Sequence, residues 1–506
     1  MKNSTAFQHR FGLFLGLFLA LIVLLFTDLD PQNPNITRTL AVALLMATWW
    51  ITEAVPLAVT SLLPVALFPL LGIMDGKTTS SAYFNHIIFL FIGGFVIALA
   101  MQKWNLHKRI ALRILMFTGV SPGRILMGFM LSTAFLSMWI SNTATAMMMI
   151  PIVLSIINKL EESVGEKNVS RYTIGLLLGI AYAASIGGVA TLVGTPPNLS
   201  FVRIFAIYFP DAPSVSFAMW FIFALPISIV LFLVTWTFLH LSFKPKKGAW
   251  EINLSESFGE QYKKLGKMKF EERVVLIDFI AVAFLWLFRT DLSFGSFSIP
   301  GWGNLFESPK FLNDGTVAIL MAIVLFTIPS KQKGQQIMNW ETANKLPWNI
   351  VLLFGGGFAL AGGFKESGLS MWFGQQLSFA QSLPPVLVIA IICFMLTFLT
   401  ELTSNTATTE MFLPILAGLA MSIKVNPLLF MIPATLSASM AFMLPVATPP
   451  NAIVFGTNRI TMMEMAKTGI VLNFIGILVI TLITYYWGQW VFTIDPSVFP
   501  SWAVAK

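Results

Sequence analysis

Ser141-Asn142-Thr143-Ala144-Thr145 returns as Ser404-Asn405-Thr406-Ala407-Thr408, 263 positions further on. Serine and threonine hydroxyls and the asparagine amide donate and accept hydrogen bonds without carrying charge. With freed backbone carbonyls they offer hard oxygen ligands for a cation such as Na⁺, and donors for a carboxylate. A single motif of this kind is usually glue between membrane helices. Here it is one of three ordered pairs. Gly93-Gly94-Phe95 and Gly356-Gly357-Phe358 share the offset of 263, and Thr195-Pro196-Pro197-Asn198 and Thr448-Pro449-Pro450-Asn451 are offset by 253. The offset shortens where the first half carries a polar loop, residues 161–167. Two related halves, each with polar residues inside apolar sequence, predict one site at their interface, an organisation common in secondary transporters.

The elements that position these motifs must lie in a bilayer. The chain is 56% hydrophobic and 11% charged, its mean hydropathy is +0.79, and soluble domains run near a quarter charged. Runs long enough to cross a hydrocarbon core recur, for example residues 11–26, 274–288, 316–328 and 470–487. The reading is an all-α polytopic membrane protein. A first span near residues 11–27 precedes one repeat from about 39 to 242 and another from about 310 to 492, and a helix at 272–290 bridges them or begins the second half. The first run lacks a small-residue cleavage site, so it is expected to remain as an anchor. The longest polar stretch, residues 243–273, reads as a linker with an amphipathic segment.

Prolines break many of these runs: Pro56, Pro64 and Pro69 early, then Pro196-Pro197 and Pro449-Pro450. In lipid, broken backbone must be buried in protein or line a wet cavity, because each unpaired amide or carbonyl costs several kcal/mol. The stretches beside each Thr-Pro-Pro-Asn motif therefore read as half-helices meeting at an unwound loop, giving two broken helices. Around the Ser-Asn-Thr motifs the apolar arms, residues 125–140 with 144–157 and 385–399 with 407–421, are short for full spans. They predict two re-entrant hairpins with the motif at each tip. An odd number of spans per repeat makes the repeats inverted, one hairpin opening inward and the other outward. Half-helix N-termini add positive dipole ends at the site.

The net charge of +8 speaks first to topology. Lys2, His9 and Arg10 precede the first run; Lys244, Lys246, Lys247, Lys263, Lys264, Lys267, Lys269 and Arg273 form one basic loop, and Lys331, Lys333 and Lys345 another. By the positive-inside rule these segments face the cytoplasm, and the poorly basic residues 28–35 and 495–506 face outside. The expected location is the plasma (inner) membrane, multi-pass, with the N-terminus cytoplasmic and the C-terminus extracellular. Short basic loops form no nucleic-acid surface, so no nucleic acid is expected as a partner. Cys393 is the only cysteine, which excludes disulfides within the chain and thiolate clusters, and His9, His86, His107 and His240 lack ligand spacing. Without metal ligands, a nucleophile–base pair or a glycine-rich phosphate loop, a membrane-embedded enzyme is disfavoured and no organic cofactor is expected. Glu53 reads as an interfacial or packing carboxylate, and Lys103, His107, Lys108 and Arg109 as part of an interfacial helix. Glu401 and Glu410 have no first-half counterparts and read either as supports behind the site's ligands or as residues that attract Na⁺.

Trp49-Trp50-Ile51-Thr52-Glu53-Ala54-Val55-Pro56, the two Ser-Asn-Thr motifs, Gly194-Thr195-Pro196-Pro197-Asn198 and Ala447-Thr448-Pro449-Pro450-Asn451 together resemble the divalent anion/sodium symporter family. The likeness runs over residues 38–490 and is closest to the bacterial Na⁺-coupled dicarboxylate transporters. It implies a homodimer with about eleven transmembrane helices per protomer. It also implies an elevator-type motion of a transport domain against a dimerising scaffold. The implied cargo is a C4 dicarboxylate such as succinate, fumarate or malate, imported with several Na⁺ ions.

Carried over by position, Asn142, Thr143, Asn405 and Thr406 look like the carboxylate binders, helped by Thr195-Pro196 and Thr448-Pro449. The first Na⁺ site looks like Ser137, Ser141 and Asn142 with backbone oxygens near Gly194, and the second like Thr400, Ser404 and Asn405 with backbone oxygens near Ala447. Ser137 and Thr400 are themselves 263 apart. On this reading residues 1–124 are the first part of the scaffold and include the N-terminal span. Residues 125–242 hold the first hairpin and broken helix of the transport domain, 243–384 the cytoplasmic linker and second scaffold part, 385–492 the second hairpin and broken helix, and 493–506 an extracellular tail.

Exchangers of the family resemble the symporters but place protein cations near the site. Here no Lys, Arg or His lies in either hairpin core or in the Thr-Pro-Pro-Asn loops. Bound Na⁺ is then the natural offset for a dianion in a dry site, which favours symport over the alternative, Na⁺-independent exchange of dicarboxylate or 2-oxoglutarate. Neutral tips suit C4 dicarboxylates, 2-oxoglutarate, citrate and sulfate alike.

Overall fold

Helices carry the chain, as the apolar runs predict. The computed structural model describes residues 2–245, 255–294, 297–332 and 334–504. Lys246, Lys247, Lys333 and Lys506, and the side chain of Lys2, lie outside what is described. Among the described residues seven helices are long and apolar enough to cross a membrane: His9–Phe26, Gly76–Lys103, Asn142–Val164, Glu166–Gly188, Phe217–Phe243, Trp348–Ser367 and Met462–Val491. Shorter apolar helices include Leu57–Leu70, Asp314–Thr327, Pro385–Thr400 and Leu428–Ser437. The first helix leaves Phe11, Phe14, Phe18, Leu25 and Phe26 exposed, as a lipid-facing span does. One small departure from all-α architecture is an antiparallel ribbon in which Leu292–Phe294 pairs with Phe297–Ile299. Leu-Ser-Phe and Phe-Ser-Ile alternate apolar and polar residues, the two-residue period of a strand.

The glycine pairs found in the sequence mark the tightest helix crossings. A side chain at Gly93, in helix His86–Lys103, would strike the backbone of Ala318 in helix Asp314–Thr327. Gly356, in helix Trp348–Ser367, stands in the same way against the backbone of Ser61. Small residues let helix backbones approach this closely inside a membrane. Related residues thus make related contacts in the two halves.

The hairpin arms are Pro122–Ser137 with Asn142–Val164, and Pro385–Thr400 with Asn405–Ser422. Each first arm opens on a proline, whose missing N–H costs nothing at a helix start. The broken helices are Glu166–Gly188 with Pro196–Tyr208, and Leu428–Ser437 with Pro449–Phe455. The packing crosses over between the halves. Asn142–Val164 packs on Pro449–Phe455, and Asn405–Ser422 on Pro196–Tyr208. The two long closing helices, Phe217–Phe243 and Met462–Val491, also pack on each other, with Trp487 Nε1 donating to Ile222 O at 3.3 Å. The helices that follow both turns thus pack on elements of both halves.

The basic linker folds as its amphipathic pattern predicts. Helix Ser255–Lys264 lies on helix Leu106–Thr118, and Phe258 is buried against Phe129 with ring centroids 6.2 Å apart. Arg109 Nε meets Glu272 Oε2 at 2.5 Å, and its Nη1 donates to Gly266 O at 3.1 Å. Lys103 Nζ donates to Gln336 O at 3.0 Å. These basic side chains hold the interfacial helix to its neighbours, the structural reading of that stretch.

Candidate functional site

Both hairpins turn alike. Residues 138–141 join the arms of the first and 401–404 those of the second, so Asn142 and Asn405 are each the first residue of a long helix. The free N–H groups and the helix dipole there favour a negative charge. Ser137 Oγ lies 2.5 Å from Asn142 Oδ1 and 2.7 Å from Ala184 O. Thr400 Oγ1 lies 2.7 Å from Asn405 Oδ1 and 2.8 Å from Ala438 O. A hydroxyl has one proton to donate, so in each cluster three oxygens converge on a single hydrogen. Such a surplus of hard oxygen is what a small cation satisfies.

The predicted ion ligands come together unevenly. Gly194 lies against Ser137 O and Gly188 O, and Gly188 lies against the Asn142 amide. A Cβ at either glycine would fill the space, which is why the first cluster needs both. Ser137, Asn142 and Gly194 therefore meet. Ser141 is turned to its own helix, its Oγ accepting the Ala144 N–H at 3.3 Å as an N-cap. In the second cluster Thr400 and Asn405 meet, Ser404 is the N-cap residue without a side-chain bond, and Ala447 is buried in the unwound loop before Thr448.

The residues expected to hold the carboxylates are polar and at most partly exposed. Asn142, Thr143 and Asn405 are half-buried, and Thr195, Thr406 and Thr448 are buried. Pro196 is half-buried and Pro449 exposed. Among the described residues the hydroxyls of Thr143, Thr195 and Thr406 make no hydrogen bond, whereas Thr448 Oγ1 accepts the Asn451 N–H at 3.3 Å. Because the arms cross over, Thr143 belongs to the helix packed on that of Thr448–Pro449, and Thr406 to the helix packed on that of Thr195–Pro196. Clefts elsewhere do not include the tips: one of about 660 Å³ is lined by Ser216, Asp291 and Gln489, and one of about 240 Å³ by Tyr208, Lys365 and Trp502.

The loops between half-helices are tied by residues to which the sequence reading gave no role. Asn198 Nδ2 donates to Thr191 O at 2.7 Å, and Asn451 Nδ2 to Leu444 O at 3.0 Å and Ala441 O at 3.1 Å. Both asparagines are fully buried. Each therefore closes its own Thr-Pro-Pro-Asn motif back onto the loop before it. Their place in the repeated motif was the available signal. The carbonyls of Ala184 and Ala438 carry no sequence signal of their own.

Glu401 breaks the symmetry. Its Oε1 accepts from the N–H of Phe442 at 2.8 Å and Met443 at 2.9 Å, and Oε2 from Leu444 N–H at 3.0 Å. Asn473 Nδ2 adds a fourth donor at 2.8 Å. The first half has Met138 at this place, whose carbonyl accepts the Thr191 hydroxyl. Four donors occupy the Glu401 carboxylate, so it clamps the second unwound loop, closer to the supporting role than to the ion-attracting one that the sequence left open. Glu53 is exposed at the end of helix Pro34–Thr52 with φ 48°, and its carbonyl is 2.7 Å from His9 Nδ1, in keeping with an interfacial carboxylate.

Residues 8–494 match the sodium:sulfate symporter transmembrane region. A sodium-dependent dicarboxylate transporter, SdcS, of Staphylococcus saprophyticus is 44% identical over 482 residues, covering 94% of this chain and 90% of its own. SdcS of Staphylococcus aureus is 43% identical over 491 residues, covering 96% and 92%. Two solved structures share the fold at low identity. MtrF of Neisseria gonorrhoeae, from a class of antimetabolite efflux pumps, aligns with a TM-score of 0.56 at 13% identity over 85% of both chains. The YdaH transporter of Alcanivorax borkumensis aligns with a TM-score of 0.51 at 12% identity, over 83% of this chain and 87% of its own.

Proposed function

The chain belongs to the sodium:sulfate symporter family, and from that premise we propose that it is a secondary active transporter importing C4 dicarboxylates, such as succinate, fumarate and malate, together with Na⁺. The observation that carries the reading is the doubled cluster: Ser137 and Asn142 of one hairpin with Ala184 O of the helix before the first unwound loop, and Thr400 and Asn405 of the other with Ala438 O at the end of the helix before the second. Each asparagine can serve both cargoes. Its Oδ1 points into the oxygen cluster, and its Nδ2, with the N–H groups at the helix start, is left for a carboxylate. A cation in the cluster would fix the amide and so present its donor. Each substrate carboxylate would then have one hairpin tip and one Na⁺ cluster beside it.

The same arrangement gives a reason for coupling. A dianion in a dry site is costly without opposite charge, and the hairpin cores and loops supply no protein cation. Substrate without Na⁺ would leave a loaded carrier that moves only at high cost. In this reading residues 125–242 and 385–492 move as an elevator against a scaffold that dimerises. The protomer has about eleven spans, the N-terminus is cytoplasmic and the C-terminus extracellular.

The test is uptake of labelled succinate into proteoliposomes holding the purified protein and no internal dicarboxylate. An inward Na⁺ gradient should drive accumulation, and replacing Na⁺ with choline should abolish it. Uptake that ignores Na⁺ and needs preloaded dicarboxylate would establish exchange instead.

A further inference from the structure

Glu410 lies five residues beyond Asn405 and is fully buried. Ser200 Oγ donates to its Oε1 at 3.0 Å, and its Oε2 has no hydrogen-bond partner. Among the described residues no Lys, Arg or His forms an ion pair with it. The carboxyl occupies the space that a Cβ at Gly357 would need. Gly357 belongs to helix Trp348–Ser367, whereas Ser200 belongs to the first broken helix. Under the domain reading above, Glu410 and Ser200 are in the moving part and Gly357 is in the scaffold. The carboxyl thus sits at the surface along which the two parts slide.

An ionised carboxylate with no counter-charge is among the most expensive groups to bury. A metal cation would need several oxygen ligands, and among the described residues Ser200 is the one side chain hydrogen-bonded to this carboxyl. A proton needs one oxygen only, and Oε2 is the one without a donor. We propose that Glu410 is a proton-binding site, occupied in this state, that keeps the sliding surface uncharged and makes carrier movement sensitive to pH. The proposal rests on the transport reading, which supplies the two moving parts.

No other ionisable group competes for this role. Tyr83 is the titratable neighbour, and its hydroxyl is engaged by Ser61 O. On helix Pro196–Tyr208, Arg203 lies by His86, and Tyr208 is bonded to Ala361 O and Ser370. On helix Trp348–Ser367, Lys365 donates to Ile207 O, and Glu366 stands beside it, exposed at the helix end. Arg38 of helix Pro34–Thr52 is bonded to Asn35 and Leu71 O. Cys393 of the neighbouring arm faces Ser437 and Thr481. Helices Leu369–Gln376 and Leu428–Ser437 carry no titratable residue. The first-half counterpart of Glu410 is Met147, which is exposed, so the device belongs to one repeat alone.

The test compares the full-length protein with Glu410→Gln, which is neutral at every pH, and with Glu410→Met should glutamine fail to fold. Melting temperatures in detergent are followed from about pH 6 to 9.5, spanning the range in which a buried carboxyl would ionise. The wild type should lose stability relative to the variant as pH rises. In proteoliposomes a dicarboxylate is fully ionised above about pH 7, so any remaining pH response belongs to the protein. Wild-type Na⁺-driven succinate uptake should fall by up to about tenfold per pH unit above the midpoint, and the variant should hold its rate. A melting difference that stays constant with pH would overturn the proton site. A shifting melting difference with parallel uptake profiles would overturn its link to movement. Wild-type protein that carries no dicarboxylate at any pH would instead overturn the transport reading, and the melting comparison would still decide the proton.

Discussion

The hydroxyl of Thr400 and the amide oxygen of Asn405 stand 2.7 Å apart across the turn of the second hairpin. Ser137 and Asn142 hold the same relation in the first hairpin at 2.5 Å. In both, the third oxygen comes from the helix before an unwound loop, at Ala438 or Ala184. The asparagine is therefore fixed by an element that is not its own, and the ion cluster and the carboxylate donors share one side chain. On the proposed assignment, binding of either cargo would alter the setting of the other, which would be the physical content of coupling.

Ser137→Ala and Thr400→Ala should each remove one oxygen from a cluster. The loss of one interaction with a charged group is roughly 1.5–3 kcal/mol, or about ten- to hundredfold in affinity. The Na⁺ concentration for half-maximal uptake should rise accordingly, with a smaller change in maximal exchange. Ser141→Ala should act less strongly through the ion, because Ser141 Oγ already caps the Ala144 N–H, and its loss should cost about 1 kcal/mol of stability. Unchanged Na⁺ titrations for both Ser137→Ala and Thr400→Ala would remove the assigned ion clusters.

Glu401→Ala should destabilise the protein more than it changes Na⁺ affinity. The substitution strands the amides of Phe442, Met443 and Leu444 and the amide of Asn473. Each buried donor left unsatisfied costs about 1–3 kcal/mol, although water entering the gap would recover part of it. Glu401→Gln keeps the shape but turns an NH₂ toward at least one donor, so it should rescue only partly. Melting curves in detergent beside Na⁺ titrations separate the two effects. A variant of normal stability with lost Na⁺ dependence would make Glu401 an ion ligand after all.

Much of this was legible because membrane burial punishes exceptions. Proline pairs and polar residues in apolar runs had to have partners, and the 263-residue repeat showed where to look. Helices end near both Ser-Asn-Thr turns and restart at Pro196 and Pro449 as that argument expects, but the arm Asn142–Val164 runs 23 residues, long enough to cross a membrane and not the short arm expected. What stayed hidden depends on backbone direction. Backbone carbonyls exist at every residue, and those of Ala184 and Ala438 reach the Ser137 and Thr400 hydroxyls only through the crossing of neighbouring helices. For Glu401 the sequence left a supporting role and an ion-attracting one open, because it does not show that three loop amides converge on the carboxylate. Ser141 resembles Ser137 in type, and sequence does not show that its hydroxyl also caps its own helix.

Topology can be tested on the linker helix. Lys263 is exposed on helix Ser255–Lys264, and the lysine distribution predicts a cytoplasmic position for this segment. Lys263→Cys should react with a membrane-impermeant maleimide only in inside-out vesicles or after permeabilisation. Cys393, being fully buried, should give little background. Labelling in intact cells would reverse the orientation of the whole chain, and with it the direction in which each hairpin opens.

The internal symmetry makes its strongest claim on the substrate. Thr143 and Thr406 carry hydroxyls with no partner among the described residues, each at the first turn of a hairpin's second arm. If each tip takes one carboxylate, Thr143→Ala and Thr406→Ala should each lose roughly 1.5–3 kcal/mol of binding, about a ten- to hundredfold drop in succinate affinity. The two losses should be similar, because succinate presents the same group at both ends. Butyrate, of like length with one carboxylate, should compete poorly against the unmodified protein, since one tip and its Na⁺ cluster would face a methyl group. Succinate affinity and butyrate competition measured in all three proteins decide the matter. If only one threonine matters, or if butyrate competes as well as succinate, the two-ended clamp fails and the second tip serves ions or packing alone.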